Sequence, residues 1–144
     1  MKSFVQTFST VAALVASPLV QAAVPADEVT SLPGFPSPIP FKVYSGFLNV
    51  TFEPTINGYD GAVIHYQFQT SQQKSQPTDP VVAWHTGGPG GSSIYGQYAE
   101  LGYFQVSTSA GETVNKYSWN NVANMLYLES PAGSFLTPVD QRSG

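Results

Sequence analysis

The residues best suited to chemistry form a glycine-rich stretch in the middle of the chain. The segment from Trp84 to Ser93 reads WHTGGPGGSS, with four glycines and one proline. It follows a short apolar run and precedes a helical pattern, so its backbone N–H groups would be presented at the carboxyl edge of a sheet. Two ligands suit such donors: a phosphate, and the oxyanion of an acyl-transfer intermediate. A tight turn without any ligand also fits this composition.

A phosphate is the less favoured of the two ligands. A P-loop needs a Lys in front of its Ser or Thr, and no Lys occurs between Lys74 and Lys116. The dinucleotide-binding fingerprint is not matched either, because its three glycines require a fixed spacing that this stretch does not have. The oxyanion therefore remains the better ligand.

Other candidate catalytic side chains have structural interpretations. Ser92 and Ser93 follow His85 across the glycine turn, and we interpret them as a helix cap beside a histidine at a strand end. His65 falls on the polar face of a predicted strand, where we expect it to be solvated. The histidines form no His-Glu-x-x-His pattern and the chain has no cysteine, so a metal site is unsupported and a Cys nucleophile is excluded.

Alternating apolar residues predict an antiparallel hairpin ahead of the glycine stretch. Its strands run from Tyr44 to Phe52 and from Ala62 to Gln69, with the turn residues Asn57 and Gly58 between them. In the first strand we expect one buried face, formed by Tyr44, Leu48, Val50 and Phe52. In the second strand we expect the face of His65, Gln67 and Gln69 to be polar and exposed.

The elements around the glycine stretch predict the first part of an α/β sheet. The apolar run Val81 to Trp84 favours a strand buried on both faces, as in a parallel sheet, and Met125 to Leu128 repeats that signature. A second hairpin is predicted around residues 109–111. The helix between these strands should end at Gly102. Its predicted apolar face comprises Ile94, Tyr95, Tyr98 and Leu101.

Composition limits the class of protein and its partners. With 42% hydrophobic and 10% charged residues, the chain is expected to fold. Its net charge of −4, without a cluster of Lys or Arg, disfavours nucleic acid and anionic membrane surfaces as partners.

The first 22 residues have the pattern of a secretory signal peptide. Lys2 precedes an apolar stretch, and Val20 and Ala22 provide the small residues before the cleavage site. A membrane anchor is the competing interpretation, but the stretch is interrupted by polar residues and falls short of the roughly 20 residues that a spanning helix needs. We expect a product of the secretory pathway, either secreted or vacuolar or lysosomal, with a glycan at Asn49 in the Asn-Val-Thr sequon.

Prolines at positions 25, 33, 36, 38 and 40 make residues 23–42 an extended lead-in to the folded part, residues 43–144.

Two strings of the sequence resemble the serine carboxypeptidase family. PVVAWHTGGPGGSSIYGQYAELGYF and YSWNNVANMLYLESPAG match, in order, the family patterns Trp-Leu-Asn-Gly-Gly-Pro-Gly-Cys-Ser-Ser, Glu-Leu-Gly-Pro, Tyr-Ser-Trp-Asn and Leu-Glu-Ser-Pro-Ala-Gly, between Pro80 and Gly133. The preceding hairpin also resembles the opening strands of the family. The resemblance implies an α/β-hydrolase fold and hydrolysis of C-terminal peptide bonds through an acyl-enzyme. It implies peptide or protein substrates with a free C-terminal carboxylate, and no cofactor.

The resemblance also implies roles for individual residues. The N–H of Gly88 would be one oxyanion donor, and Thr86 and Gly87 would bind the terminal carboxylate of the substrate. Glu100 would support a second acidic residue beside the nucleophile. Thr86 stands where the family usually has Asn, and Gly91 replaces the usual Cys.

The catalytic triad is not found in this sequence. In this fold the nucleophile lies in a Gly-x-Ser-x-Gly elbow and is followed by the acid and the His, and no such elbow occurs up to Gly144. We interpret the chain as the N-terminal part of a secreted serine carboxypeptidase that is truncated before the catalytic Ser and inactive alone. The alternative is a short, non-enzymatic secreted product that serves as a binding or decoy module.

Overall fold

The computed structural model describes residues 24–73, 78–88, 90–107, 111–131 and 133. The predicted signal peptide lies outside these residues. The strands are β1 (Glu28–Val29), β2 (Val43–Ile56), β3 (Tyr59–Gln69), β4 (Val81–Trp84), β5 (Phe104–Ser107), β6 (Gly111–Val114) and β7 (Asn124–Leu128). Among the described residues, five strands form one sheet in the order β1-β2-β3-β7-β4, and β5 and β6 form a separate ribbon. Helix α1 (Ser93–Gly96) continues as a π-helical turn (Gln97–Leu101), and 3₁₀ turns cover Pro25–Asp27 and Trp119–Asn121.

Strands β2 and β3 form the predicted antiparallel hairpin. Their register runs from the pair Val43 and Gln69 to the pair Thr51 and Gly61, and then shifts before the turn. Asn57 and Gly58 make the turn with φ angles of 52° and 85°. Two consecutive positive φ angles are what a type I′ hairpin turn requires, which explains why this dipeptide identified the hairpin from the sequence.

The prediction of which hairpin surfaces are buried is partly wrong. His65, Gln67 and Gln69 are buried, although their polarity suggested an exposed face. Leu48 and Val50 are exposed although they were assigned to the buried face. The reason is that β7 pairs only with residues 66–69 of β3, so the outer half of the hairpin extends beyond the rest of the sheet.

Strand β7 lies between β3, with which it is antiparallel, and β4, with which it is parallel. This pairing confirms the parallel sheet expected from the two apolar runs. The prediction that Val81–Trp84 is buried on both faces is wrong for the described residues, because β4 is the last strand of this sheet. Val81 and Ala83 are exposed there, whereas Val82 and Trp84 pack against the core.

The helix between β4 and β5 covers one face of the sheet. Leu101 joins Ala123, Met125 and Tyr127 in a buried cluster, and burying each such large apolar side chain contributes about 1.5–3 kcal/mol. The helix ends at Leu101, directly before Gly102, as predicted. Tyr95, however, is 62% exposed, so its assignment to the apolar face is wrong.

The lead-in folds back onto the β5–β6 ribbon. Phe41, Val43 and Phe104 form a second buried cluster, in which the rings of Phe35 and Phe104 lie edge to face with centroids 5.0 Å apart. The Tyr66 hydroxyl donates to Asp27 Oδ2 at 2.7 Å and so ties the first turn of the lead-in to the sheet. Among the described residues of this segment, 24–42, the only strand is a two-residue edge strand, β1, in keeping with the five prolines.

Within the residues that the structure describes, no helix is both long enough and apolar enough to cross a bilayer.

Candidate active site

The glycine turn follows the carboxyl end of β4 and leads directly into α1. The backbone N–H of Gly91 donates to the carbonyl of Gly87 at 3.2 Å and closes the turn. Gly88 has a φ of 143°, a conformation that residues with a side chain rarely adopt. A Cβ added at Gly91 would lie 2.5 Å from the Gly87 carbonyl oxygen, so a Cys at this position would require the turn to change shape.

Backbone amides are concentrated on the inner side of this turn. A Cβ built at Gly88 would lie 3.1 Å from the amide nitrogen of Gly91 and 3.2 Å from that of Gly90. Gly87 and Gly88 are both exposed. At the exposed Gly87 and Gly88, a bound group can therefore approach the backbone without meeting a side chain of these two residues.

Thr86 opens the turn, and its hydroxyl is oriented by Trp84. The indole N–H of Trp84 donates to Thr86 Oγ1 at 3.1 Å. Because an indole N–H can only donate, this bond occupies a lone pair of Thr86 and leaves the hydroxyl hydrogen available for another partner. The backbone N–H of Thr86 in turn donates to Ser93 Oγ at 3.4 Å.

The serines after the turn have structural positions. Ser93 is buried, and its hydroxyl accepts the bond from Thr86. Ser92 occupies the N-cap, as the sequence suggested, but its side chain makes no capping bond. The carbonyl of Ser92 accepts from the Tyr95 N–H at 3.1 Å. His85 is exposed at the end of β4.

A buried glutamate holds the first turn of α1. Glu129 follows β7, is 0% exposed, and accepts a hydrogen bond from the Ile94 N–H to its Oε2 at 3.3 Å. No role for Glu129 was predicted from the sequence. The only signal in the sequence was an acidic residue directly after a buried strand. Its partner, Ile94, is 35 residues away and could not be identified from the sequence.

His65 is buried rather than solvated, which corrects the expectation from the sequence. Its Nε2 and the Ser45 hydroxyl are 2.9 Å apart, and its ring packs against Phe47 with centroids 5.2 Å apart. Burial lowers the pKa of His65, and the negative charge of Glu129 opposes that shift. A Ser–His pair at this distance resembles a nucleophile with its base. Because the histidine is only 6% exposed, we assign the pair to the interior of the sheet.

The buried glutamines attach the π-helical turn to the sheet. Gln97 Nε2 donates to Gln67 Oε1, and Gln69 Nε2 donates to the same oxygen at 3.1 Å. Gln67 Nε2 donates to the Tyr98 hydroxyl at 3.4 Å. These bonds explain how amide side chains are accommodated on a buried face.

The YSWNN string has a structural role in the connection before β7. Gln72 Nε2 lies within hydrogen-bonding distance of Ser118 Oγ, Asn120 Oδ1 and Asn121 Oδ1, at 3.2, 3.0 and 2.7 Å. The side chain of Asn124 accepts from the Ser71 N–H at 2.9 Å. The string therefore joins the segment after β3 to the beginning of β7.

Glu100 and Asn49 both lie on the surface. Glu100 is exposed on the π-helical turn, and its carbonyl accepts from Gln105 Nε2 at 2.9 Å. Asn49 is exposed on β2, opposite Val63. Glu100 lies on the π-helical continuation of α1, the helix that follows the glycine turn, whereas Asn49 belongs to the outer half of the hairpin.

Among the described residues, no group of three or more His, Asp or Glu side chains could hold a metal ion.

The chain is similar to known proteins. A family model described as serine carboxypeptidase matches residues 33–135. Serine carboxypeptidase-like 36 from Arabidopsis thaliana is 43% identical over 124 residues, which cover 82% of this chain and 24% of the relative. P-(S)-hydroxymandelonitrile lyase from Sorghum bicolor is 41% identical over 110 residues, or 74% of this chain and 20% of the relative. The chain thus spans less than a quarter of either relative.

A solved structure supports the fold. The crystal structure of Kex1(delta)p, a prohormone-processing carboxypeptidase from Saccharomyces cerevisiae, matches with a TM-score of 0.53 and 24% identity. The match covers 65% of this chain and 20% of that one. The predicted mixed α/β fold, present as part of a domain, is therefore confirmed.

Proposed function

We propose that this chain, which belongs to the serine carboxypeptidase family, is the N-terminal part of a secreted enzyme that removes C-terminal residues from peptides. The observation that carries the proposal is the glycine turn at the carboxyl end of β4, closed by the bond between Gly91 and Gly87. Ligands of open α/β sheets bind beyond the carboxyl ends of the strands. Backbone N–H groups in that position suit the oxyanion of acyl transfer.

In this proposal Gly88 supplies one donor of the oxyanion hole. Its N–H would bind the oxygen that becomes negative when the scissile carbonyl is attacked, and the residue after the nucleophile would supply the second donor. Losing one such donor typically costs about 10²- to 10³-fold in kcat. The φ of 143° at Gly88 supports this role. A residue with a side chain rarely adopts this φ, so replacing Gly88 would shift the backbone and move its N–H.

Thr86 and Gly87 would bind the terminal carboxylate of the substrate. Trp84 occupies an acceptor site of the Thr86 hydroxyl, which leaves that hydroxyl to donate. A donor is what recognition of a carboxylate requires, so Thr86 can replace an amide at this position. Glu100, exposed on the same helical element, would support a second acidic residue beside the nucleophile.

The chemistry would follow the usual course of acyl transfer. A Ser hydroxyl attacks the scissile carbonyl while a His accepts its proton, and the tetrahedral oxyanion is held by Gly88. The C–N bond then breaks, the leaving amino acid takes the proton from the His, and water hydrolyses the acyl-enzyme. The Ser, Asp and His would belong to a part of the complete enzyme outside these 144 residues, which we expect to be inactive alone.

The same proposal includes processing in the secretory pathway. Residues 1–22 would be removed as a signal peptide, and Asn49 would carry a glycan because its sequon is exposed on β2. The final location would be extracellular, vacuolar or lysosomal.

Sequencing the transcript downstream of Gly144 tests the assignment of the triad. We expect an open frame that supplies a Gly-x-Ser-x-Gly elbow, then an Asp, then a His. A stop codon directly after Gly144 would contradict the enzyme and favour a short secreted binding product.

A further inference from the structure

We infer that Glu129 is a positioning residue that fixes the glycine turn by holding the first turn of α1. The inference rests on the proposed function, because the position of the turn affects a reaction only if its N–H groups serve that reaction. Glu129 itself would touch neither the substrate nor the reacting atoms.

The Glu129 carboxylate lies in the interior, beside the first turn of α1. The side chain is fully buried, and burial of a carboxylate is strongly unfavourable unless hydrogen bonds compensate it. Oε2 accepts from the Ile94 N–H at 3.3 Å, in the first turn of α1. Helix N-terminal N–H groups otherwise lack partners within the helix, and a negative charge beside them is favourable.

The backbone of Glu129 is hydrogen-bonded to β3. Its own N–H donates to the carbonyl of His65 at 2.9 Å, so the residue continues the pairing between β3 and β7. The carboxylate is therefore carried by the central sheet. Since β4 and β7 are parallel, Glu129 lies after the carboxyl end of β7, at the same edge of the sheet as the glycine turn.

Two hydrogen bonds connect Glu129 to the ends of the glycine turn. Ile94 is adjacent to Ser93, and the Ser93 hydroxyl accepts from the N–H of Thr86. Thr86 precedes the turn and Ser93 follows it, so the two ends of the turn are joined to each other and to Glu129. The contact connects residues that lie 35 positions apart and links Ile94, which directly follows the GGPGGSS string, to the LESPAG string.

We would test this inference in the protein expressed from its complete gene, with the variants Glu129→Ala and Glu129→Gln. Hydrogen exchange reports the opening of the turn directly, at the amides of residues 86–96. We expect Glu129→Ala to accelerate exchange of the Ile94 amide by roughly 10- to 150-fold, the loss expected for one hydrogen bond to a charged group. Glu129→Gln keeps an acceptor oxygen and should give a smaller acceleration.

Glu53→Gln is the matched control, because Glu53 is exposed in the outer part of β2. It should leave exchange in residues 86–96 unchanged. In a kinetic assay, Glu129→Ala should lower kcat for peptide acids and peptide amides alike, since both substrates need the oxyanion donor. KM should rise for the acids alone, because Thr86 and Gly87 of the same turn would bind the terminal carboxylate. Glu129→Gln should recover part of the loss.

Three results would overturn the inference. One is unchanged exchange at residues 86–96 in a folded Glu129→Ala protein. Another is exchange that rises equally along β3 and β7, which would show general support of the core. If Glu129→Ala does not fold, normal exchange of Ile94 in Glu129→Gln together with full kcat would overturn it. A wild-type protein that releases no C-terminal residues would refute the proposed function, while the exchange data would still decide whether Glu129 holds the turn.

Discussion

Replacing Thr86 by Val probes carboxylate recognition with almost no change in side-chain shape. The substitution removes the hydroxyl that Trp84 orients from 3.1 Å away. A hydrogen bond to a charged group contributes about 1.5–3 kcal/mol, which corresponds to a loss of roughly 10- to 150-fold in kcat/KM for free-acid peptides. Peptide amides lack the terminal charge and should be affected far less, because the oxyanion donor at Gly88 is retained.

The variant also has a structural cost that must be measured separately. The valine side chain of Thr86→Val cannot accept from the Trp84 indole N–H. A fully buried donor without a partner costs about 1–3 kcal/mol of stability, and the partly buried indole should cost less. Thr86→Ser keeps the hydroxyl and is the matched control, with kinetics close to those of the wild type. Trp84→Phe keeps an aromatic ring but removes the orienting donor, so it should give a smaller loss that is also specific for acids.

The assay compares kcat/KM on matched acid and amide peptides for the complete protein. A loss confined to the acids supports recognition by Thr86. Equal losses on acids and amides would refute the reasoning and would mean that Thr86 only supports the loop.

Three further predictions concern pH, stability and processing. Burial lowers the pKa of His65 below 6.5, so at low pH the unfolded chain binds more protons than the folded one and stability should fall as the pH drops below that value. In His65→Gln the melting temperature should depend less on pH between about pH 7.5 and 5. Parallel curves of melting temperature against pH for the variant and the wild type would contradict this. Burial and the bond to Asp27 raise the pKa of Tyr66 to about 12. The bond to a carboxylate should make Tyr66→Phe cost about 1.5 kcal/mol in urea unfolding at pH 7, and a cost that persists undiminished in an Asp27→Ala background would exclude that bond as its source. The secreted product of a eukaryotic host should begin at Ala23 and lose mass on enzymatic deglycosylation, whereas Asn49→Gln should show no such loss; N-terminal sequencing and mass spectrometry check both.

The parts of the fold that local patterns encode were predictable from the sequence. Asn57 and Gly58 favour two positive φ angles, and this local preference located the hairpin turn. The apolar runs of β4 and β7 indicated the parallel pair because such strands carry little polar alternation. The turn before α1 was identified by its glycines.

The parts that depend on distant packing were not predictable. His65, Gln67 and Gln69 look like an exposed face in the sequence. In the fold, Gln97 and Tyr98 supply hydrogen-bonding partners for Gln67 from the helix, and Ser45 supplies one for His65 from β2. Tyr95 was misassigned because the buried positions of α1 are Ser93 and Gly96, whose small side chains give no apolar signal in the sequence.

The candidate site was predictable only as a segment of the chain. Its glycines indicated a backbone ligand, but the bond from Trp84 to Thr86 and the support from Glu129 are tertiary arrangements. The second of these joins two segments through a single buried carboxylate, and no periodic pattern identifies its partner.

Release of C-terminal residues by the protein from the complete gene tests the central claim most directly. Purified protein is incubated with free-acid peptides, and the products are followed by mass spectrometry. The account predicts successive loss of single residues from the carboxyl end, slowed by C-terminal amidation and blocked by a phosphonate that reacts with nucleophilic serines. A folded protein that leaves the free-acid peptides intact, or cleaves them only at internal bonds, would contradict it.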